Sequence, residues 1–345
     1  MRGIYSAAYL EMLVSKYMGI RKVEGLDLGK GFDLICGTST GAILACAIAW
    51  GVDLDKVVEL YRKKGPQIFP ERVPGTLMGF IGQWRRRRGL NKRGAKALEN
   101  ALDAELKGVT VRRLWEERGI GLAVPAVEMG RHRPWVFKTP HLPNSRDRDG
   151  GYTLTQVCLA STAAPVFRSM AWLPNFDTHG AHVFVDGGLW ANSPVLVGLI
   201  DALELTTHGD AIEIFCLGTC PPPSGDIVTS EDDTHRGFKE WRLGADAAGV
   251  GISAQQYAYE NMVLMLGRHV DRKVRVVRFP RGDVQASLLA HLALDETRGE
   301  SMNALVAQAQ TDAYEALSVS GRADDEVGKA IDTLFRSLPE KRKKG

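Results

Sequence analysis

Phe32-Asp33-Leu34-Ile35-Cys36-Gly37-Thr38-Ser39-Thr40-Gly41-Ala42-Ile43-Leu44-Ala45-Cys46-Ala47-Ile48-Ala49 is a short apolar run, a glycine-bounded turn and a longer apolar run. The first run reads as a buried strand and the second as the start of a buried helix. Between them, Gly37-Thr38-Ser39-Thr40-Gly41 matches the G-x-S-x-G pattern of a nucleophile elbow. An elbow of this kind presents its serine on a sharp, strained turn, and glycines two before and two after it permit close chain approach. The following helix aims its first backbone N–H groups, helped by its dipole, at charge developing on a bound carbonyl. A Gly-rich turn that only packs well would use the same residues; the strand before it and the helix after it favour the elbow.

Working outward, Ile4, Ala7, Ala8, Leu10, Leu13, Val14 and Tyr17 recur at helical spacing, so residues 2–18 read as a helix. Helix, strand, tight turn and helix together make a unit of a parallel α/β sheet. Further strands are expected at 120–127, 135–138, 181–185 and 212–218, and helices at 95–106, 154–161 and 194–205. Pro221-Pro222-Pro223 opens a turn-rich, acidic linker that runs to Thr234. Beyond it, helical patterns cover 245–266 and 300–317, with an extended segment at 273–279. The expected organisation is a core over 1–220, with 221–345 a linker and helical flank of the same domain.

Hydrophobic residues make up 44% and charged residues 25%, the balance of a globular chain with a sizeable core. A formal net charge of +3 gives no ground for a nucleic-acid polymer as partner. The cations are uneven: Arg85 to Arg88 form a run, and Lys341-Arg342-Lys343-Lys344 precedes the terminal Gly345. Five cysteines, an odd number without framework or paired spacing, suggest neither disulfides nor a metal site and point to a reducing, cytoplasmic setting. The longest apolar run, residues 42–50, is too short to span a bilayer. Contact with lipid is therefore expected to be peripheral, at the inner membrane face.

A serine nucleophile needs a base. Only 38 residues precede Ser39, too few for the strands that lead to the elbow in an α/β-hydrolase, and His208, His235, His269 and His291 stand in no recognisable context. A carboxylate that takes the serine proton directly is the alternative. The best placed is Asp186, which ends the apolar run Val183-Phe184-Val185 and precedes Gly187 and Gly188. That position is the C-terminal edge of a strand, where sites of α/β sheets form, and burial there raises a carboxyl's pKa. By itself, an Asp-Gly turn would explain the residues as well.

The combination resembles the patatin-like phospholipase family over roughly residues 1–220. Arg2-Gly3-Ile4 is similar to the end of that family's Gly-rich segment, and 32–41 to its F-D-x-x-x-G-T-S-T-G block. Ala160-Ser161-Thr162-Ala163-Ala164-Pro165 resembles its A-S-x-A-A-P segment, and Asp186-Gly187-Gly188 with Asn192-Ser193-Pro194 its D-G-G-x-x-x-N-x-P block. The resemblance implies an α/β, three-layer fold with a mainly parallel central sheet flanked by helices. It also implies a Ser39–Asp186 dyad that cleaves phospholipid or other acyl-lipid esters through an acyl-enzyme, with no cofactor. Thr40, at the helix start, supplies an oxyanion N–H in this reading, and Arg2 and Gly3 belong to an anion-binding segment.

Met1 falls inside the family's Gly-rich segment, so the strand and glycines expected before it, beside the elbow strand, are absent from the sequence as given. The expectation is a shortened chain. The loss of those glycines keeps a non-catalytic lipid- or partner-binding module open as an alternative, beside a soluble esterase or transacylase. Gly79-Phe80-Ile81-Gly82-Gln83-Trp84 followed by Arg85 to Arg88 suits an anionic membrane surface, or a solvated loop. Trp172, Phe176 and Trp190 are candidates for an acyl pocket. Some bacterial members of the family answer to cyclic nucleotides, so the resemblance admits such an activator, although no nucleotide pocket is legible.

Overall fold

The protein, represented by a computed structural model, is described over residues 2–72, 77–178, 180–220, 225, 228–237, 241, 245–280, 284–293, 295–322 and 324–341. In chain order the elements are α1 (Gly3–Arg21), β1 (Leu34–Cys36), α2 (Thr40–Trp50), α3 (Leu54–Ile68), α4 (Leu77–Leu106) and α5 (Val111–Arg118). Next come β2 (Gly121–Glu128), β3 (Arg133–Lys138), α6 (Leu154–Ser161), β4 (Ala171–Pro174), β5 (Ala181–Asp186), the single turn α7 (Gly188–Ala191) and α8 (Val195–Leu205). β6 (Ala211–Leu217), α9 (Ala245–Leu266), β7 (Lys273–Phe279), α10 (Gly299–Ser320) and α11 (Glu326–Ser337) complete the chain.

Local chemistry sets most of these bounds. Thr153 and Gln156 form a reciprocal capping box at the start of α6, and Thr110 caps α5 by accepting from Arg113 N. Gly51 and Gly119, both at positive φ, close α2 and α5. α2 is apolar on every side, and each residue from Ala42 to Trp50 is buried, because sheet and helices enclose it.

The sheet is mixed. β2, buried at nearly every position, is its centre. β1 lies parallel to β2 with Cys36 opposite Ala123, β5 is antiparallel with Asp186 opposite Ala126, and β3 pairs antiparallel along 123–128. Because Ala123 is shared by β1 and β3, and 126–128 by β3 and β5, β1 and β5 must lie on the same side of β2. They run towards each other, and their C-terminal ends meet across Val124 and Pro125. Pro125 has no N–H to give, and it stands at the gap where no ladder partner asks for one. β4 extends the sheet beyond β5, while β6 and β7 form a separate parallel pair.

Helices cover both faces, which is the three-layer α/β arrangement expected. Ile35, Leu122, Val124 and Ala126 face the main core with α1, α2, α6 and α10. Leu34, Cys36 and Ala123 face a smaller cluster with Ala191 and Val197. The segment beyond residue 220 contributes to the same main core through Leu305, Ala309, Ile331 and Phe335, and its extended stretch is β7. The side of β1 away from β2, where an additional strand was expected, bonds to no described strand. β1 and β6 instead both line a cleft of about 3380 Å³ that also holds Ser39.

Several elements differ from the sequence reading. α4 runs from Leu77, far upstream of the expected start at 95, so the arginine run sits on a helix and not in a loop. Side chains of residues 77–82, 84 and 85 in the aromatic and basic stretch lie outside the described residues, as do 221–224 and 226–227 of the expected linker. Lys341, the first residue of the C-terminal basic run, is bonded through its backbone to Gly25 and through Nζ to Asp53.

Candidate active site

β1 ends at Cys36, and Gly37, Thr38 and Ser39 turn the chain into α2. Ser39 takes φ 55° and ψ −124°, a strained backbone for a residue with a Cβ. Such strain typically costs about 1–3 kcal/mol and persists only where surrounding bonds impose it. Gly37 N donates to Ala123 O at 3.3 Å, and Thr38 Oγ1 donates to Ala191 O at 2.7 Å, fixing the turn to β2 and to α7. A Cβ on Gly37 would stand 2.2 Å from Gly41 O, so the first glycine is sterically required. Gly41 differs from the sequence reading: a Cβ there would meet nothing within 4 Å.

Ser39 occupies the N-cap of α2 yet makes no side-chain capping bond. Its hydroxyl instead donates to Asp186 Oδ2 at 2.6 Å. The head-on approach of β1 and β5 brings these two residues together, although 147 positions separate them. Asp186 Oδ1 accepts from Gly188 N at 2.7 Å. Gly187 is obligatory because a Cβ on it would lie 2.2 Å from Pro125 O. Burial pushes the Asp186 carboxyl up to about 6, against the hydrogen bonds from Ser39 and Gly188 and the charge of Arg168, which pull it down. A carboxylate with that value is ionised at neutral pH and far more basic than an exposed aspartate.

Ser161, fully buried, ties the arrangement together, a role for which the sequence reading had only a motif. Its hydroxyl accepts from Ser39 N at 2.9 Å and donates to Pro125 O at 2.7 Å. Asp186 N donates to Ala163 O at 3.1 Å and Gly187 N to Ser161 O at 3.4 Å, so the 160–165 segment braces both ends of the pair. Thr40 N–H, at the first turn of α2, meets no described acceptor, whereas the Ser39 N–H is already engaged. Gly3 lies against the elbow: a Cβ there would fall 2.9 Å from Thr40 Cβ and 2.7 Å from the Tyr61 hydroxyl. Arg2 lines the same cleft, its pKa lowered by burial against a smaller opposing influence of Cys220.

Among the described residues, no histidine bonds to Ser39 or Asp186. His291 meets Ser301, and His208 is exposed near Asp271. The aromatic candidates do not form an acyl pocket. Trp172 and Phe176 are 77% and 55% exposed, and Trp190 is bonded through Nε1 to Ala126 O. Pro165, Val166, Phe167 and Leu189 are among the apolar residues that line the cleft instead. Arg168, which no motif flagged, is buried in the same cleft.

A strand-to-helix turn sets a serine against a buried carboxylate, on a mixed sheet between helical layers, so the molecule is a three-layer α/β protein with this pair in its cleft. The chain belongs to the patatin-like phospholipase family, whose model matches residues 1–199. It is 32% identical over 265 residues to a cGAMP-activated phospholipase of Pseudomonas aeruginosa, covering 76% of this chain and 71% of that one. A cGAMP-activated phospholipase of Vibrio cholerae is 32% identical over 205 residues, 57% of this chain and 54% of the other. Patatin-like protein 4 of Arabidopsis thaliana is 26% identical over 209 residues, 57% and 48% of the two chains. The chain thus spans about half the length of the last two.

Proposed function

We propose that this chain is a lipid acyl hydrolase in which Ser39 is the nucleophile and Asp186 the base. The observation that carries the proposal is the 2.6 Å bond from Ser39 Oγ to a carboxylate held near 6, made by a serine in a strained backbone. Ser39 Oγ attacks the ester carbonyl carbon as Asp186 takes its proton. The tetrahedral adduct collapses, the carbon–oxygen bond to the glycerol breaks, and Asp186 returns the proton to the departing alkoxide. Water then gives a proton to Asp186 and its hydroxide to the acyl carbon; the bond from that carbon to Ser39 Oγ breaks, and Asp186 returns the proton to Oγ as the fatty acid leaves. The unengaged Thr40 N–H, at the positive end of α2, is positioned to meet the oxyanion.

The rim of the cleft supports a lipid substrate. Val166 and Leu189, which line it, are 54% and 43% exposed, apolar surface that a water-soluble substrate does not call for. Arg87 on α4 bonds to Val166 O, which brings the basic run to this rim and suits peripheral contact with an anionic bilayer. No helix among the described residues is long and apolar enough to cross a membrane. Two relatives are named for activation by cGAMP, so the proposal includes a cyclic-nucleotide activator.

The test is labelling by a fluorescent fluorophosphonate, with hydrolysis of a lysophospholipid read in parallel, each with and without cGAMP. Wild type is expected to label, Ser39→Ala to lose the label, and both Ser39→Ala and Asp186→Asn to lose at least about 1000-fold in hydrolysis. Undiminished hydrolysis in either variant removes the dyad.

A further inference from the structure

Arg168 is only 8% exposed, and its Nε is buried without an acceptor. None of its side-chain nitrogens donates to a described residue. The charge that faces it is Asp186, whose two oxygens are already taken by Ser39 and Gly188 N. Buried cations ordinarily come paired, because a lone one pays desolvation with nothing returned. The cost is visible here: burial lowers the Arg168 pKa to about 10, against the opposing charge of Asp186.

The segment that carries it is held in place. Val166 takes φ 71°, a conformation costly for a β-branched residue. Its carbonyl accepts from Arg87 Nε and Asn91 Nδ2, each at 3.3 Å, and Arg168 N donates to Ala164 O at 2.9 Å. The guanidinium therefore sits on a braced loop, in the cleft that contains the nucleophile, with donors unspent. A planar fork of N–H groups matches the oxygens of a phosphate in pairs.

We propose that Arg168 is an anion subsite that holds the phosphodiester of a glycerophospholipid while Ser39 attacks its acyl ester. The proposal rests on the acyl-hydrolase reading and adds the group that selects phospholipid over neutral ester. Phosphodiesters also occur in cyclic nucleotides, so the experiment separates these two sources.

The measurement compares wild type, Arg168→Gln and Arg168→Lys on palmitoyl-lysophosphatidylglycerol and on monopalmitoylglycerol, which has the same acyl chain and no phosphate. Arg168→Gln is expected to lower kcat/KM about 10- to 100-fold for the lysophospholipid, mainly through KM, and to leave the neutral ester within about threefold. Arg168→Lys is expected to recover part of the loss. An equal fall on both substrates, with the acidic limb of the neutral-ester pH profile displaced, would instead assign Arg168 to sustaining ionised Asp186 and overturn the subsite. A stimulation of neutral-ester cleavage by cGAMP that disappears in Arg168→Gln would overturn it in favour of the nucleotide.

A second readout needs no turnover. Glycerophosphoglycerol should slow fluorophosphonate labelling of Ser39 in wild type and not in Arg168→Gln or, should the glutamine variant fail to fold, should do so more weakly in Arg168→Lys. Equal protection in wild type and variant, or none in either, counts against the subsite. Absence of Ser39 labelling in wild type, with and without cGAMP, would be a failure of the hydrolase reading and not of this one.

Discussion

Asp186 and Asp201 are both buried carboxylates, 6% and 1% exposed, and their acidities move in opposite directions. Asp201, on α8, would be raised by burial, but bonds from His141 and Lys138 outweigh that and hold it below the ordinary value. Lys138 Nζ donates to Asp201 Oδ1 at 2.5 Å, and His141 Nε2 lies 3.2 Å from Oδ2. The network continues through Thr139, which bonds His141 Nδ1 at 2.8 Å and accepts from Leu122 N at 2.8 Å. Asp186 has a hydroxyl, one backbone N–H and a cation it does not touch. Burial alone therefore does not raise a carboxyl; burial without a bonded cation does. Asp201 is surrounded by groups that keep it ionised, whereas Asp186 has the raised value that the proposed base requires.

The largest expected effect tests that division in stability. Asp201→Asn leaves Lys138 and His141 without their anion and should cost about 3 kcal/mol, the scale for breaking a buried pair. Asp186→Asn removes the need to keep an unpaired carboxylate ionised, so it should leave stability unchanged or raise it by about 1–2 kcal/mol at pH 7.5. Denaturant unfolding of the two variants reads this directly, and equal losses would break the comparison. The pH dependence has matching signs. Asp186 titrates near 6 when folded and near 3.8 when unfolded, so its contribution destabilises progressively as pH rises through about 4–6. Asp201, with a lowered folded value, stabilises above its unfolded pKa and loses that contribution as pH falls through the folded one.

The second effect is on rate. A base must be ionised to accept the Ser39 proton, so hydrolysis should fall about tenfold per pH unit below roughly 6. A kcat/KM profile on a neutral ester checks this without headgroup titration. A limb near 4 would mean that burial does not govern Asp186 and that the contrast with Asp201 is one of partners only.

The two regions were unequally legible in sequence. The elbow was readable because its signal is local: a short strand, glycine-spaced serine and apolar helix within 18 residues. The company of Asp186 was readable only through the order of four motifs, since nothing nearby in sequence says that β5 ends against β1. The local trace of that meeting is Pro125, a residue that a central strand tolerates only where no donor is needed. α3 carried a helical pattern in Leu54, Val57, Leu60, Tyr61 and Ile68, yet Pro66 within its last turn reads as a stop. The Asp201 network was not legible at all, because Lys138, Thr139 and His141 are drawn to α8 by packing and not by any spacing. Arg168 had no sequence signal either; its meaning lies in what fails to bond to it.

The smallest expected effect concerns Ser161, which sharpens what holds the Asp186 side of the comparison. Its hydroxyl is bonded on both sides, accepting from Ser39 N and donating to Pro125 O in the gap between β1 and β5. Ser161→Ala leaves Pro125 O and Ser39 N unsatisfied in a buried place, a loss of about 1–2 kcal/mol. Because those groups set the angle of the turn and not the fit of the lipid, the loss should appear as a kcat lower by about 5- to 30-fold with KM little changed. Asp186 keeps its burial and its bond from Gly188 N, so the acidic limb should stay near 6. A displaced limb would show that Ser161 governs the carboxylate as well as the turn, and would make the acidity of Asp186 a property of the whole junction between β1 and β5.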